Sequence, residues 1–308
     1  MDISLIIPFL NEEDNLNFLI PELNLFFSKM PETKAEVIFV DDGSSDNSIE
    51  IISNLKHKFY TAKIIKLSRN FGSHAAVRAG ILHATGEWIS ILATDLQDSL
   101  SLIYEMHKQC LLGHDIVVAQ RRTLKTKSKA KLLSRFYTSL MRKYAIKDYP
   151  PKGADVVMFN KKVGVILNKN VEANSNYMLQ ILALGFNKTF IEYDKTERKY
   201  GTSKWTLAKK IKLLIDSFVA FSFFPIRMVS IVGIIIFLTG LLWTGYIVLR
   251  TILFHDLAQG WPTTISILML GFGITNISLG IIAEYLWRTL DASRKRPVFI
   301  IDEIIEIN

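Results

Sequence analysis

The sequence contains very little cysteine, since Cys110 is the only one in 308 residues. A single cysteine excludes an intramolecular disulfide and any metal site made of several thiolates. The chain also lacks the Gly-x-Gly-x-x-Gly pattern of dinucleotide-binding folds and the Walker loop of ATPases, so neither function is indicated. No basic residue precedes the first apolar run after Met1-Asp2, and we therefore expect no secretory signal peptide.

Charge is missing from two long stretches near the C-terminal end, residues 228–249 and 263–283. Each is close to the ~20 residues that a helix needs to cross a bilayer. Buried helices of a soluble domain are the less favoured alternative. Basic residues precede the first stretch and follow the second, which predicts two membrane spans with both ends in the cytoplasm.

The formal net charge of +8 is compatible with nucleic acid or with anionic lipid as a partner. Because the basic residues cluster beside the predicted spans, lipid headgroups are the favoured partner and nucleic acid is not expected. The basic stretch 121–131 leaves two interpretations open. It is either a solvated loop or a segment that attracts a lipid phosphate.

Apolar strand patterns alternate with helical patterns over residues 2–119. We predict strands at 3–8, 36–40, 64–67, 88–92 and 115–119, and helices at 15–27, 46–55, 73–83 and 100–112. This alternation is typical of a mostly parallel sheet covered by helices. Ligands of such sheets bind beyond the carboxyl ends of the strands.

Acidic residues follow two of these strands. The segment Ala93-Thr94-Asp95-Leu96-Gln97-Asp98 follows the fourth strand, and its oxygen ligands suit a hard divalent cation shared with substrate phosphates. The segment Asp41-Asp42-Gly43 follows the second strand. Its carboxylates could accept hydrogen bonds from a base and a ribose, although a simple turn with a helix cap by Asp46 is an equal alternative.

Four motifs together resemble the inverting family 2 glycosyltransferases, and within them the polyprenyl-phosphate glycosyltransferases of bactoprenol and dolichol type. The motifs are Ser68-Arg69-Asn70-Phe71-Gly72, Asp95-Leu96-Gln97-Asp98, Arg198-x-x-Gly201-x-Ser203-Lys204-Trp205 and Gly280-x-x-x-Glu284-Tyr285-x-x-Arg288. The resemblance covers nearly the whole chain. It implies an α/β nucleotide-sugar-binding fold of glycosyltransferase A type, followed by interfacial helices and two transmembrane helices.

The resemblance also implies roles for individual residues. Asp95 and Gln97 would hold Mg²⁺ or Mn²⁺, and Asp98 and Asp155 would be catalytic. The residues expected to contact the nucleotide sugar are Pro8, Leu10, Glu12, Phe39, Asp41, Asp42, Arg69, Ala93, Thr94 and Asp95. Those expected to bind the diphosphate or the acceptor phosphate are Arg121, Arg198, Ser203 and Lys204.

The chain departs from the family pattern at several of these positions. Ala93 stands where the family has the first Asp of its metal motif, and Leu10 stands where it has a Tyr. Ser99-Leu100 replaces two prolines, and Ser73-His74 replaces Lys-Glu. We expect His74 to be an ordinary surface or capping residue. The loss of a carboxylate at Ala93 is the change that bears most directly on metal binding.

We therefore predict a single-sugar transferase that uses a nucleoside diphosphate sugar and a polyprenyl phosphate at the cytoplasmic face of the inner membrane. The expected organisation is a cytoplasmic catalytic domain at 1–205, amphipathic interfacial helices at 206–227, a two-helix membrane anchor at 228–287 and a cytoplasmic tail at 288–308. Homo-oligomer formation is left open.

Four alternatives to this function differ in how well the sequence supports them. A processive polysaccharide synthase is disfavoured because no Gln-x-x-Arg-Trp motif is present. A catalytically degenerate nucleotide-sugar-binding protein is suggested by Ala93. An enzyme of dolichol-phosphate mannose synthase type that uses GDP-mannose stays open, as does a lipid-surface scaffold without a nucleotide site.

Overall fold

The computed structural model divides the chain into two units, which are Met1–Asp216 with Pro297–Asn308, and Ser217–Arg296. The residues it describes are 1–122, 137–146, 148–169, 176–194, 216, 222, 224–254, 260–294 and 296–307. Arg198, Ser203, Lys204 and most of the predicted interfacial segment 206–227 lie outside the described residues. The stretch 123–131 of the basic segment also lies outside them.

The first unit contains an eight-stranded sheet in the order β7-β5-β6-β4-β1-β2-β3-β8. Its strands are β1 (Ile3–Phe9), β2 (Ala35–Asp41), β3 (Thr61–Leu67), β4 (Trp88–Ile91), β5 (Ile116–Arg121), β6 (Val156–Asn160), β7 (Lys188–Tyr193) and β8 (Ile301–Ile307). The helices of this unit with defined bounds are α1 (Glu13–Ser28), α2 (Ser48–Asn54), α3 (Ser73–His83), α4 (Leu100–Leu111), α5 (Lys161–Lys169) and α6 (Tyr177–Ala183).

The predicted mostly parallel α/β sheet is confirmed. Strands β1 to β4 pair in parallel, as do β5 and β7. Strand β6 is antiparallel to both β4 and β5, and β8 is antiparallel to β3. Six strands therefore end at one edge of the sheet, and β6 begins at that same edge.

Strand β8 comes from the segment that the sequence analysis assigned to a cytoplasmic tail at 288–308. Its register runs from Ala62 opposite Ile307 to Leu67 opposite Ile301. Just beyond β3, the backbone N–H of Ser68 donates to the carbonyl of Ile300 at 3.0 Å. The chain thus returns to the first unit after the second and forms an edge strand of its sheet.

The core consists of apolar residues from the central strands and the helices that cover them. All seven residues of β2 are buried, as expected of a strand covered on both faces. On α1, the buried residues Leu16, Leu19, Ile20 and Leu23 recur at helical spacing, so one stripe of the helix faces the sheet. The sheet interior gives the loops at its edge a rigid support.

A buried carboxylate, Glu36, organises the amino-end edge of the sheet. It accepts hydrogen bonds from Ser4 Oγ at 2.5 Å, Thr85 N at 2.6 Å and Thr85 Oγ1 at 2.7 Å. Lys63 Nζ lies 3.2 Å from its other oxygen. Burial acts to raise the pKa of Glu36, but the hydrogen bonds from Ser4 and Thr85 and the charge of Lys63 leave the pKa below its ordinary value. This cluster connects β1, β2 and β3 with the turn before β4.

The second unit contains the helices α7 (Phe224–Phe254) and α8 (Trp261–Ser293). Tyr285 Oη donates to the carbonyl of Ser222 at 2.9 Å, and Arg288 Nη2 lies 3.0 Å from Glu284 Oε1. Within the described part of the chain, no helix has both the length and the apolar character needed to cross a membrane. The two predicted membrane spans are therefore not confirmed.

Candidate active site

The loops after β1 and β2 are held together at the carboxyl edge of the sheet. Asn11 adopts a positive φ of 52°, and its Oδ1 accepts a hydrogen bond from Ser45 N at 2.8 Å. Ser44 Oγ accepts one from Asn11 N at 2.9 Å, and Ser48 Oγ accepts one from Glu12 N at 3.1 Å. These contacts fix the two loops that carry several of the predicted nucleotide-binding residues.

Asp41 ends β2 and is completely buried. Its Oδ1 accepts a hydrogen bond from Ser44 N at 2.8 Å. Its Oδ2 is buried and has no hydrogen-bond partner among the described residues. Because a buried polar atom without a partner is costly, this oxygen is a candidate acceptor for an N–H or O–H group of a ligand.

Asp42 connects this loop to the Ser68–Gly72 motif. Its carboxylate accepts hydrogen bonds from Phe71 N at 2.7 Å and from Gly72 N at 3.0 Å. Burial raises the pKa of Asp42 more than these backbone hydrogen bonds lower it, and the charge of Asp41 also raises it. The structure thus gives Asp42 the role of joining two loops, and the motif around Arg69 depends on it.

Gly43 is required where these two loops meet. It has a φ of +81°, and a Cβ atom there would lie 2.8 Å from the carbonyl carbon of Arg69 and from Asn70 N. A side chain at this position would push the loops apart. The guanidinium of Arg69 lies 4.3 Å from the centre of the Phe71 ring, and Arg69 itself is exposed.

Residues 93–98, which follow β4 and are called the acidic loop below, have an exposed start and a buried end. Ala93 is exposed, Thr94 is buried, and Asp95 and Gln97 are half-buried. Leu96 between them has a positive φ of 49°, and Gln97 N donates to Asp95 Oδ1 at 3.2 Å. The loop therefore has a defined backbone conformation that an L-residue rarely adopts.

Asp98 at the end of this loop is 5 % exposed. Its Oδ1 accepts a hydrogen bond of 2.5 Å from the Oη of Tyr193, the last residue of β7. Sequence reasoning did not identify Tyr193, because 95 positions separate it from Asp98 and no local motif marks it. Burial is the main reason that the pKa of Tyr193 is raised, and its hydrogen bond to Asp98 and that carboxylate's charge act in the same direction.

Asp155, the other predicted catalytic carboxylate, is paired with Arg121. Arg121 Nε lies 2.8 Å from Oδ2 of Asp155, and Arg121 Nη2 lies 2.7 Å from Oδ1. The backbone N–H of Asp155 donates to the carbonyl of Ala119 at 3.1 Å. A two-pronged contact of this kind is strong and directional. The structure thus brings Arg121 and Asp155 together, and their roles at the acceptor side stay predictions.

The structure places two further residues of the sequence analysis. Phe39, predicted to contact the nucleotide, is fully buried in the core, with its ring 5.9 Å from that of His57, and its contact with the nucleotide stays a prediction. An apolar ring in a strand covered on both faces is more stable there than in a polar loop. The N-cap of α2 is Asn47 rather than Asp46, although Asp46 Oδ1 accepts a hydrogen bond from Ser48 N at 3.1 Å.

His74 also differs from the expectation of a surface or capping residue. The N-cap of α3 is Gly72, and both ring nitrogens of His74 are buried without a hydrogen-bond partner among the described residues. Its ring lies 5.4 Å from that of Tyr177. Burial lowers the pKa of His74, against the charge of Asp216. Burial, and then the charge of Asp98, raise the pKa of Tyr177 to about 12.

No group of three or more His, Cys, Asp or Glu side chains that could hold a metal ion occurs among the described residues. Asp95 and Gln97 are nonetheless oxygen donors on the acidic loop, two positions apart. Mg²⁺ is commonly bound by one or two carboxylates, with substrate phosphates and water completing its shell. The donor set fits a cation that arrives together with a diphosphate, rather than one held in a cage of protein ligands.

A mostly parallel sheet with polar loops at the carboxyl ends of its strands defines an α/β enzyme that binds its ligand at this edge. The family model described as Glycosyl transferase family 2 matches residues 4–164, so the chain belongs to this family. It is a glycosyltransferase with the corresponding α/β fold. The matched region contains β1 apart from its first residue, β2 to β6 and both predicted catalytic carboxylates.

Several relatives are similar over nearly their whole length. An uncharacterized glycosyltransferase of Bacillus subtilis, YkcC, is 34% identical, with 97% of this chain and 93% of the relative covered. A prophage bactoprenol glucosyl transferase homolog of Escherichia coli is 30% identical, with 99% of each chain covered. An undecaprenyl-phosphate 4-deoxy-4-formamido-L-arabinose transferase of Proteus mirabilis is 28% identical, with 99% and 94% covered.

Among solved structures, glucosyl-3-phosphoglycerate synthase from Mycobacterium tuberculosis in complex with Mn²⁺, uridine diphosphate and phosphoglyceric acid is similar. Its TM-score is 0.46 at 15% identity, with 71% of this chain and 76% of that chain covered.

Proposed function

We propose that this glycosyltransferase transfers one sugar from a nucleoside diphosphate sugar to a polyprenyl phosphate, with inversion at the anomeric carbon. The observation that carries the proposal is the extent of the similarity to relatives named for such acceptors. The family model ends at residue 164, whereas the E. coli relative matches 99% of the chain at 30% identity. The likeness therefore includes the part of the chain outside the family's common region.

For the donor, we assign the nucleoside to the loops after β1 and β2. Oδ2 of the buried Asp41 has no hydrogen-bond partner within the described part of the chain, and a base N–H or a ribose hydroxyl would supply one. Pro8 near the end of β1, and Leu10 and Glu12 on the loop that follows, are partly exposed, in contrast to the buried Phe39. Ala93 and Thr94 begin the acidic loop, and we place the ribose and diphosphate beside them.

For the metal, we assign Asp95 and Gln97 as the protein ligands of Mg²⁺ or Mn²⁺. When bound, the cation would neutralise negative charge on the leaving diphosphate. Asp95 contributes the carboxylate and Gln97 an amide oxygen. Their positions on a loop that starts at the rigid end of β4 support this assignment.

For the acceptor, the nucleophile is an oxygen of the polyprenyl phosphate. A phosphate monoester has its second pKa near ~6, so it is mostly a dianion at neutral pH and requires little help from a base. The oxygen forms a bond to the anomeric carbon while the bond from that carbon to the diphosphate oxygen breaks. The protein's task is to place the two substrates and balance their charge.

Arg121 is the acceptor-side cation within the described residues, and we assign it to the incoming phosphate. It holds Asp155 in the structure, so a phosphate would compete with this carboxylate or share the guanidinium with it. Arg198, Ser203 and Lys204 were predicted for the same task and remain proposals, because they lie outside the described residues. Asp155 then orients Arg121, or accepts a proton when the phosphate arrives as a monoanion.

We also propose that the reaction takes place at the cytoplasmic face of the cell membrane, since a polyprenyl chain is confined to a bilayer. The chain leaves the first unit after Asp216 and returns at Pro297, so both ends of the second unit connect to the catalytic unit. Helices α7 and α8 expose large apolar side chains, among them Leu242 at 74% and Phe272 at 67%. These side chains support a lipid-facing role, and the two membrane spans stay a prediction.

The test is to incubate the purified full chain with undecaprenyl phosphate, Mg²⁺ or Mn²⁺ and a panel of UDP- and GDP-sugars, and to identify the lipid product by its mass. We expect one glycosylated lipid, and none from the variant Asp95→Ala with an unchanged thermal unfolding profile. Absence of a lipid product with every donor would contradict the proposal. Equal turnover by Asp95→Ala at saturating metal would contradict the metal assignment alone.

A second candidate function is a catalytically degenerate nucleotide-sugar-binding protein, which is favoured by the alanine at position 93. This candidate predicts that a nucleotide sugar binds in the presence of Mn²⁺ and is recovered unchanged. The same incubation distinguishes the two functions, provided that donor binding is measured by equilibrium dialysis in parallel. A product with GDP-mannose in the panel would identify an activity of the dolichol-phosphate mannose type.

A further inference from the structure

The ends of the neighbouring strands β5 and β7 each carry a side chain that holds a carboxylate. Arg121 and Tyr193 are register partners at these ends. Arg121 holds Asp155, as described above. Tyr193 Oη donates to Asp98 at 2.5 Å, and Tyr193 and Asp98 are 8% and 5% exposed. The second contact therefore joins the edge strand β7 to the acidic loop.

Asp98 lies where the acidic loop passes into α4. Ser99 follows as the N-cap residue, and its side chain accepts a hydrogen bond from Ser101 N at 3.2 Å. At the other end, Leu92 N donates to the carbonyl of Ile6 at 2.9 Å, which fixes the start of the loop to β1. The segment that carries Asp95 and Gln97 is thus anchored on both sides.

The middle of the loop needs these anchors, because Leu96 has a positive φ of 49°. Such a conformation is unfavourable for a non-glycine residue and persists when the surrounding structure determines it. Loss of the anchor at Asp98 would remove one of the constraints on this conformation, beside the packing of Leu96 against the core. The relative placement of Asp95 and Gln97 would then change.

We propose that Tyr193 is a positioning residue for the metal- and diphosphate-binding loop, and that its hydrogen bond to Asp98 holds Asp95 and Gln97 in the arrangement that receives a cation with its diphosphate. Asp98 acts in this role as an anchor rather than as a base. The inference rests on the donor and metal part of the proposed function and is independent of the lipid acceptor. Because burial raises the pKa of Tyr193, its hydroxyl stays protonated and able to donate.

The test is the variant Tyr193→Phe, which removes the hydroxyl and keeps the ring in the core. Binding of Mn²⁺ in the presence of UDP, and separately of GDP, is measured without turnover from the electron paramagnetic resonance signal of free Mn²⁺. Loss of a hydrogen bond to a charged group predicts a rise of about tenfold in the half-saturating Mn²⁺ concentration. In the transfer assay we expect the same shift, with kcat at saturating Mn²⁺ and the acceptor KM close to wild type.

The matched control is Tyr60→Phe. Tyr60 is 7% exposed, and its Oη lies 2.9 Å from Nδ1 of His57, just before β3 and away from the acidic loop. This variant also loses a buried tyrosine hydrogen bond, so we expect a comparable drop in Tm and an unchanged Mn²⁺ requirement. An equal shift in both variants, or no shift in Tyr193→Phe, would overturn the proposal.

A double-mutant cycle with Asp98→Ala and Asp98→Asn gives a second measure that does not depend on Tyr193→Phe alone. We expect Tyr193→Phe to have no further effect on Mn²⁺ binding once Asp98→Ala is present, whereas additive effects would show that the two residues act separately. Asp98→Asn keeps an oxygen that accepts from Tyr193, so its shift should be smaller than that of Asp98→Ala. If wild type binds Mn²⁺ with nucleotide and makes no glycolipid, the proposed function fails while this cycle still decides the present inference.

Discussion

Arg121 holds both carboxylate oxygens of Asp155, through Nε at 2.8 Å and Nη2 at 2.7 Å. This two-pronged contact is directional and occupies one edge of the guanidinium. Asp155 is therefore suited to orienting Arg121 toward an anionic substrate. Its use as a base would require the pair to separate first.

The variant Asp155→Asn tests this relationship. Asparagine keeps one oxygen acceptor for Arg121, and the acceptor phosphate is itself mostly a dianion above pH ~6. We therefore expect lower but measurable transfer, clearly above that of Asp95→Ala, with an acidic limb of the pH–rate profile that survives in the variant. The measurement is the initial rate of glycolipid formation across the pH range around neutrality.

A matched control is Asp194→Asn, which loses the exposed pair with Arg122 Nη1 at 3.0 Å. Exposed ion pairs of this kind contribute little to stability. The transfer rate of Asp194→Asn should therefore equal that of wild type. If Asp155→Asn were as inactive as Asp95→Ala and lost its acidic limb, Asp155 would be an obligatory base and the orienting role would be wrong.

The variant Glu36→Gln tests the buried cluster at the opposite edge of the sheet. One glutamate oxygen accepts from both Ser4 and Thr85, and the other faces Lys63, so an amide group must place an N–H donor against one of these partners. A buried donor without an acceptor costs about 1–3 kcal/mol, and we expect a lower Tm for the unfolding of the catalytic unit. Glu105→Gln, which changes the exposed pair with Lys108, should leave the Tm close to that of wild type.

The pH dependence of stability gives an independent check on Glu36. Its pKa in the folded protein lies below the ordinary value of 4.5, so the folded state binds the proton less readily than the unfolded state. The stabilisation is thus present above the unfolded pKa and is lost as the pH falls through the folded pKa. We expect the stability of Glu36→Gln to approach that of wild type only below the folded pKa of Glu36, because the wild-type carboxyl is then protonated as well. A constant difference in Tm at every pH would contradict the assigned charge interaction.

Much of the catalytic fold could be predicted because its signals are local. The apolar run before Asp41 and the helical spacing from Ser73 to His83 determine β2 and α3 over a few residues each. Strand β8 was missed, because a short terminal segment of isoleucine and acidic residues without regular alternation does not reveal a distant pairing partner. Its partner β3 lies more than two hundred positions earlier in the chain.

The candidate site could be predicted only as a set of loops, and not as a set of contacts. The acidic loop and Asp41 stand at strand ends, where the sequence places them. The hydrogen bond between Tyr193 and Asp98 and the pairing of Arg121 with Asp155 depend on tertiary folding, with partners 95 and 34 positions apart. The burial of Phe39 could not be predicted either, because a strand pattern does not distinguish a ring in the core from one that contacts a ligand.

Membrane topology can be tested by cysteine labelling. In a Cys110→Ser background, we expect Ala258→Cys, in the segment between α7 and α8, to react with an impermeant maleimide from the non-cytoplasmic side. Asn308→Cys should react only after permeabilisation, because the C-terminal segment returns to the catalytic unit. Native Cys110 is buried, which raises the pKa of its thiol to about 12 and makes it a poor nucleophile. The reverse labelling pattern would show that the catalytic unit does not face the cytoplasm.

The variant Ala93→Asp restores the carboxylate that the family pattern has at this position. Ala93 is exposed, so an aspartate fits there without disturbing the core and adds an oxygen ligand two residues before Asp95. If the enzyme works with a weakened metal site, the variant should lower the Mg²⁺ or Mn²⁺ concentration needed for half-maximal transfer. The maximal rate need not rise, since a tighter site also slows release of the nucleoside diphosphate. The measurement is a metal titration of the initial rate, with nucleotide affinity determined in parallel.

The control for this variant is Ala93→Asn, which has nearly the same shape and no charge. A carboxylate effect should appear with aspartate and be much smaller with asparagine, because a charged ligand interacts more strongly with a divalent cation than a neutral amide does. Tighter nucleotide binding without any glycolipid would instead indicate a protein retained for binding. A changed donor preference would indicate that position 93 selects the sugar. If metal requirement, donor preference and nucleotide affinity all stay unchanged, position 93 lies outside the site and the assignment of the acidic loop must be revised.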